Sequence, residues 1–180
     1  MNNRLIIDNF SDDIESVLSE ANKCSYRTQA FGGNNYMGIS IGFSVWAYEK
    51  FSEILSAEVF PDFDYYRKYE SGMKQETFIH SDGSISQYAA ILSLRNKNGG
   101  LAFWHHKELG LIRPSDDPSL INKFVIDGLD ESKWDMTESI EMEKNRCVIY
   151  DASLFHSRYP KEWTSEEARM VQVFFFDVKK

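Results

Sequence analysis

His80 and Asp82, separated only by Ser81, and a distant His156 are the residues of this chain whose types and spacing could do chemistry. On an extended backbone, residues two apart point to one side, so an imidazole and a carboxylate would converge there. A neighbouring strand could bring a second imidazole to the same point. Two imidazoles and a carboxylate on one face of an octahedral ion form the facial triad of non-haem Fe(II), which leaves the opposite positions open. The same donors suit Mn(II) and Zn(II), so ligand type alone does not choose the metal. His-x-Asp also arises by chance as a polar cluster at a turn, and the surrounding elements must decide.

The chain opens with Leu5, Ile6 and Ile7, a short apolar run ending at Asp8 and Asn9 that is expected to be a strand. Asp12 and Glu15 offer a capping box, and Ile14, Val17, Leu18 and Ala21 follow at helical spacing. Residues 29–42, rich in Gly and Asn, read as a loop or an irregular strand region. Ser44 reads as the N-cap of a second helix with Ala47, Phe51, Ile54 and Leu55 on one face and Pro61 beyond its end.

From Asp64 onward, aromatic and β-branched residues come in short runs between turn residues. Expected strands are Tyr65–Tyr69, Thr77–His80, Gln87–Arg95, Leu101–Trp104, Thr137–Met142, Arg146–Tyr150 and Met170–Val178. Residues 96–100 are expected to form a hairpin loop that makes Leu101–Trp104 the partner of Gln87–Arg95. The nearly continuous apolar run Met170–Val178 belongs at the centre of a sheet. Between His105 and Asp135 the chain turns polar, with Asp116, Asp117 and Pro118 capping a short helix that ends near Gly128. Such a long connection reads as a lid or binding loop. The expected organisation is one domain over 1–180, with a helical part over about 1–60, a double-sheet β-core over about 64–178 and an insertion over about 105–136.

A formal charge of −8 without a run of Lys and Arg argues against a nucleic-acid partner. Cys24 and Cys147 are few and far apart, which suits packing thiols in a reducing compartment rather than a disulfide. Residues 1–8 hold no apolar leader core, and no stretch approaches membrane-spanning length. A soluble, cytoplasmic protein with no membrane partner is expected.

The run Lys68 to Gly72, then His80 to Gly83, then Ala89 to Leu94 with Gly99, Gly100 and Phe103, resembles the core of the prolyl-4-hydroxylase-like Fe(II)/2-oxoglutarate-dependent oxygenases. The resemblance continues through Asn145 to Asp151, His156 with Pro160 four residues on, and Arg169 opening the last strand, in the family's order over about residues 64–178. It implies a double-stranded β-helix (jelly-roll, cupin-like) core with the N-terminal helices packed on one sheet. It implies His80, Asp82 and His156 as iron ligands and Arg169 as the partner of the distal 2-oxoglutarate carboxylate. Arginine suits that task because its planar fork stays charged and binds a carboxylate with two hydrogen bonds. Tyr69 matches a position whose phenol hydrogen-bonds the co-substrate; its other reading is a core tyrosine needing a hydroxyl partner. Arg158, two residues from His156 and so on the same strand face, competes with Arg169 for the co-substrate, and otherwise reads as a substrate contact or a surface ion pair. The segment Lys161–Ala168 is a few residues longer than the family's common spacing.

The reaction so implied consumes O2 and 2-oxoglutarate, releases succinate and carbon dioxide, and hydroxylates a C–H bond of a small molecule, amino acid or peptide. Asp82 disfavours halogenation, since related halogenases carry a small residue there. Two other readings stand beside it: a cupin-like metalloenzyme that does not use 2-oxoglutarate, and a non-enzymatic jelly-roll binding module. His105 and His106 read as exposed loop histidines, since neighbours on a strand face opposite sides. Trp134 and Trp163 line a pocket or pack on the core. Asp116, Asp117, Asp127, Asp130 and Glu131 read as a solvated acidic surface which, as a lid, would favour a cationic or neutral substrate.

Overall fold

The computed structural model of the protein describes residues 4–31, 34–73, 78–96 and 99–179. After β1 (Arg4–Ile7) comes α1 (Ile14–Lys23), whose cap is Asp13 rather than Asp12. The Asp13 carboxylate accepts the Ser16 N–H at 3.0 Å and the Ser16 hydroxyl at 2.6 Å, satisfying one of the donors a helix start leaves open. β2 (Arg27–Phe31) and β3 (Asn34–Gly42) follow as an antiparallel pair. α2 (Val45–Leu55) starts after Ser44 as its sequence suggests, but the cap is supplied from a distance. The Asp64 carboxylate accepts the Ser44 N–H at 2.8 Å.

The remaining strands are β4 (Glu58–Tyr69), β5 (Tyr88–Ser93) and β6 (Gly100–His106), then, after α3 (Ile121–Asp127), β7 (Trp134–Glu141), β8 (Cys147–Asp151), β9 (His156–Tyr159) and β10 (Arg169–Lys179). They make two antiparallel sheets, a seven-stranded one in the order β1-β8-β5-β10-β4-β3-β2 and a three-stranded one in the order β7-β6-β9. β10 lies in the middle of the larger sheet, and its first eight residues are buried, which accounts for its apolar run. Pro61 sits inside β4 rather than in a loop. The pairing jumps there from Phe175 opposite Phe63 to Phe176 opposite Pro61, a bulge that removes the ladder bond proline cannot make.

α1 and α2 cover one face of the large sheet, with Val17, Ala21, Ala47, Tyr48 and Phe51 packed with Tyr66, Leu92, Ile149, Phe174 and Phe176. The opposite face meets the small sheet through Ile91, Leu101, Phe103, Val148, Val171, Val173 and Phe175. The result is a mainly antiparallel β structure of the jelly-roll, cupin-like kind.

Three expectations need correction, and one left open is resolved. The first sixty residues are not only helical: besides β1, where a strand was expected, β2 and β3 add strands at the opposite edge of the large sheet. Of the loop and irregular strand open for the Gly- and Asn-rich stretch, the structure has a strand, β3, where only alternate residues need be apolar. β5 and β6 do not pair: the connection after Ser93 passes from one sheet to the other, and β6 pairs with β7 and β9 instead. Lys97 and Asn98 of the expected hairpin loop lie outside the described residues, as does Thr77 at the start of the expected strand Thr77–His80. The described part of that strand is a single bridge between His80 and His156.

Candidate metal centre

His80 and His156 face each other across that bridge. The His80 N–H donates to the His156 carbonyl at 3.0 Å and the His156 N–H to the His80 carbonyl at 2.8 Å, and the ring centroids are 4.5 Å apart. In each imidazole, Nδ1 lies against the carbonyl two residues back, Phe78 O at 2.9 Å for His80 and Leu154 O at 2.8 Å for His156. Those carbonyls can only accept, so each Nδ1 carries the proton and each Nε2 keeps its lone pair for a metal.

Asp82 reaches the same point without a strand. Its N–H donates to the Ala152 carbonyl at 2.8 Å, and the Ser81 hydroxyl donates to the Ser153 carbonyl at 2.9 Å, which fastens the turn to the loop before β9. Gly83 lets the two segments approach, since a Cβ there would stand 2.9 Å from the Ser153 Cα. The Asp82 carboxylate oxygens lie 3.7 Å from His80 Nε2 and 3.3 Å from His156 Nε2, and one donor atom from each residue falls within 4.8 Å of the others. Burial pushes the His80 imidazole below its ordinary value, which favours the neutral form that binds metal. Burial alone would raise the Asp82 carboxyl, but the facing imidazoles of His80 and His156, with Arg67 behind them, hold it below the usual carboxylate range. Two imidazoles whose Nδ1 atoms are engaged by backbone carbonyls, together with a carboxylate, are a donor set for a divalent transition metal.

Tyr69 lies near this end of the same inner sheet face. Its ring has three guanidinium neighbours: Arg67 at 4.5 Å, Arg158 at 5.2 Å and Arg169 at 5.4 Å. Arg169 is directly opposite Tyr69 in the β10–β4 pairing, and only 3% of it is exposed. Burial, reinforced by the charges of Arg158 and Arg67, pushes its guanidinium down to about 10, so it stays charged at neutral pH. Arg158 shares a strand face with His156, but its Nη1 donates to the carbonyls of Pro160 and Lys161. Tyr69 is thus a buried tyrosine among cations, and both candidate arginines stand beside it.

Arg67 escaped the sequence reading. Its one signal was alternation: two residues before Tyr69 on the same strand, it must share that residue's face. The aromatic neighbours Tyr36, within 5.2 Å of Arg67, and Tyr150, whose ring is 4.8 Å from that of His156, were missed for the same reason.

The insertion is braced rather than open. His106 is fully buried in β6, and its Nε2 lies 3.0 Å from the Asp127 carboxylate, which Lys123 also contacts at 3.0 Å. His106 and Asp127 are therefore neither an exposed loop histidine nor part of a solvated acidic surface. Trp134 packs on the core with its indole N–H donating to the Asp127 carbonyl, while the Trp163 N–H donates to the Glu167 carbonyl. The brace reaches the segment that carries the candidate ligand His80: the Ile79 N–H donates to the Gly128 carbonyl at 2.9 Å, and a Cβ on Gly128 would fall onto the Ile79 carbonyl oxygen. Among the described residues, no helix is long and apolar enough to cross a membrane.

No family model matches the sequence, and no curated protein matches it. Solved structures do share the fold. The chain resembles the non-haem α-ketoglutarate-dependent epimerase SnoN from nogalamycin biosynthesis, with a TM-score of 0.64 and 12% identity over 97% of this chain and 76% of SnoN. It resembles HygX from Streptomyces hygroscopicus with nickel and 2-oxoglutarate bound, with a TM-score of 0.62 and 12% identity over 97% of this chain and 82% of HygX. EvdO2 from Micromonospora carbonacea var. aurantiaca, complexed with 2-oxoglutarate, matches with a TM-score of 0.60 and 14% identity over 97% of this chain and 85% of EvdO2. At these identities the likeness is one of fold.

Proposed function

We propose that the protein is an Fe(II)- and 2-oxoglutarate-dependent oxygenase that hydroxylates a C–H bond of a small molecule. The observation that carries this reading is the convergence of His80, Asp82 and His156, with both Nδ1 atoms held by backbone carbonyls, on a fold shared with enzymes that bind metal and 2-oxoglutarate. His80, Asp82 and His156 would hold the metal, and Arg169, charged and buried beside Tyr69, would take the distal carboxylate of 2-oxoglutarate. The bound metal and co-substrate would supply the oxidising chemistry. The chain's own residues position the partners and keep water from them.

The ordered motifs resemble the prolyl-4-hydroxylase-like branch, whereas the structural neighbours include an epimerase and the carbocyclase SnoK, both from nogalamycin biosynthesis. This favours a small-molecule substrate over a peptide and makes epimerisation or ring closure a second outcome for the same oxidising centre. HygX has been captured with hygromycin B bound, which supports the same substrate class. The unpaired thiols Cys24 and Cys147 fit a reducing, cytoplasmic setting.

The test is an anaerobic titration of the Fe(II)-loaded protein with 2-oxoglutarate, followed by the visible charge-transfer band of the chelate. The band should form in the wild type and be absent in His156→Ala. Arg169→Ala should retain iron and bind 2-oxoglutarate about 10- to 100-fold more weakly, the worth of a charge-assisted hydrogen bond. If Arg158→Ala does so instead, the clamp is Arg158. Iron binding with no band would favour a cupin-like metalloenzyme, and no iron binding a non-enzymatic module.

A further inference from the structure

Asp151, the last residue of β8, is not one of the three candidate ligands, yet its carboxylate shapes the backbone that fastens two of them. Residues 151–154 make a tight turn closed by the Leu154 N–H, which donates to the Asp151 carbonyl at 3.1 Å. Inside it, Asp151 Oδ1 accepts the Ser153 N–H at 2.9 Å and the Ser153 hydroxyl at 2.6 Å, the side-chain-to-backbone pattern of an Asx turn. Three successive carbonyls of the turn then serve the metal end. That of Ala152 accepts the Asp82 N–H at 2.8 Å, that of Ser153 accepts the Ser81 hydroxyl at 2.9 Å, and that of Leu154 lies 2.8 Å from His156 Nδ1.

The side chains of Ala152 and Leu154 are buried in the core between the sheets. Apolar burial is non-directional, so it fixes where the turn sits but not which way its peptide units face. The directed bonds from Asp151 fix that. The insertion grips the same turn from the other side. Arg113 Nη1 donates to Asp151 Oδ2 at 3.0 Å, and the neighbouring Ile112 carbonyl accepts the Phe155 N–H at 2.9 Å. The Arg113–Asp151 pair is partly exposed, so solvent screens it and its share is the smaller one.

We infer that Asp151 is a positioning residue of the metal centre: by holding the turn at 151–154 it aims the Asp82 carboxylate and holds the His156 ring, with Arg113 supporting it from the insertion. This rests on His80, Asp82 and His156 being metal ligands and is independent of 2-oxoglutarate. Loss of such an outer partner costs a metal site about 10- to 100-fold in affinity.

The experiment uses the full chain, first metal-free and then titrated with Co(II). In the metal-free protein, NMR follows exchange of the Asp82 amide and of the His156 Nδ1–H proton; with Co(II), affinity and the visible d–d bands are read. Asp151→Ala should speed both exchanges by about tenfold or more. It should also weaken Co(II) binding by about 10- to 100-fold and alter the d–d bands of whatever Co(II) still binds. Asp151→Asn, whose side-chain oxygen can still accept from Ser153, should recover most of both losses. Arg113→Gln should cost about threefold. Should Asp151→Ala not fold, Asp151→Glu, which keeps the charge but carries its oxygens away from the Ser153 N–H, is read in the same way. A variant that unfolds more easily while its exchange rates, Co(II) affinity and bands match the wild type would overturn the proposal, because Asp151 would then be structural only. So would an Asp151→Asn protein as impaired as Asp151→Ala. If the wild type binds no Co(II), the metal reading fails, and the two exchange rates alone decide whether Asp151 positions Asp82 and His156.

Discussion

The two faces of the seven-stranded sheet are made by alternate residues of the same strands, yet they are built to different demands. On β10, Met170, Phe174 and Phe176 look toward the helices, while Val171, Val173 and Phe175 look toward the small sheet, with Arg169 at the end of that row. The helix-covered face is closed by rings: Phe51 is fully buried, with centroids 5.1 Å from Phe10 and 4.9 Å from Phe176. Any apolar groups of similar volume could fill that space. The other face is apolar in the middle, but its end gathers Tyr69, three arginines and the His80, Asp82 and His156 constellation, where replacing one atom type changes the chemistry.

Substitutions on the two faces should therefore separate stability from metal binding. His156→Ala removes an imidazole donor and should lower Fe(II) affinity by more than about 100-fold, since losing even an outer-shell partner costs about 10- to 100-fold. Unfolding of the metal-free protein should change little by comparison. Phe51→Ala should do the reverse, costing about 3–5 kcal/mol in denaturant unfolding with metal stoichiometry intact in the folded fraction. Equal loss of metal in both variants would erase the distinction between the faces.

Asp127→Ala tests whether the insertion belongs to the metal end. Loss of the His106 contact should cost about 1–3 kcal/mol. It should also free the Ile79 N–H, seen as faster amide exchange, and weaken metal binding by about tenfold through the segment that carries His80. Unchanged exchange at Ile79 would reduce the insertion to packing.

Two carboxylates, Asp64 buried and Asp82 partly buried, sharpen the contrast through pH. Asp64 lies on the helix-covered face, where burial raises its carboxyl despite hydrogen bonds from Ser44 and Gln172; no cation is among the causes that set it. Its stabilising contribution is present below its unfolded value and is lost as pH rises through the raised folded value. For Asp82 the neighbours outweigh burial, so its contribution is present above the unfolded value and is lost as pH falls through the depressed folded value. In the metal-free protein, Asp64→Asn should flatten the falling stability on the high-pH side and Asp82→Asn the loss in acid. Carboxyl shifts moving the same way would remove the asymmetry.

What the sequence disclosed followed the same division. Apolar periodicity located α1, α2 and β10, because burial on a helix stripe or in a central strand leaves a repeating mark. The candidate ligands were visible through the order of the motifs around them, since His-x-Asp alone also arises by chance. Pairing partners were not visible: β5 and β6 are both apolar, and nothing in either states that the chain changes sheets between them. Nor was the way Asp82 arrives, by a fastened turn rather than a strand, since that depends on the carbonyls of Ala152 and Ser153, far away in the chain. Arg67 and the His106–Asp127 pair were obscured because a single charged residue reads as surface until the fold buries it.

The smallest effect belongs to the start of α1, far from both demands. Asp13 caps the helix through two hydrogen bonds from Ser16, whereas Asp12, the residue that the capping-box pattern favours, reaches only across to Lys50 at 2.9 Å. A cap satisfies a backbone donor that otherwise has only water, and an exposed ion pair is screened by solvent. Asp13→Ala should therefore lower Tm by a few degrees and Asp12→Ala by less, with metal affinity unchanged in both. A larger fall for Asp12→Ala would return the cap to the position that spacing alone suggests. A change in metal affinity for either would mean that the helix-covered face is mechanically coupled to the triad.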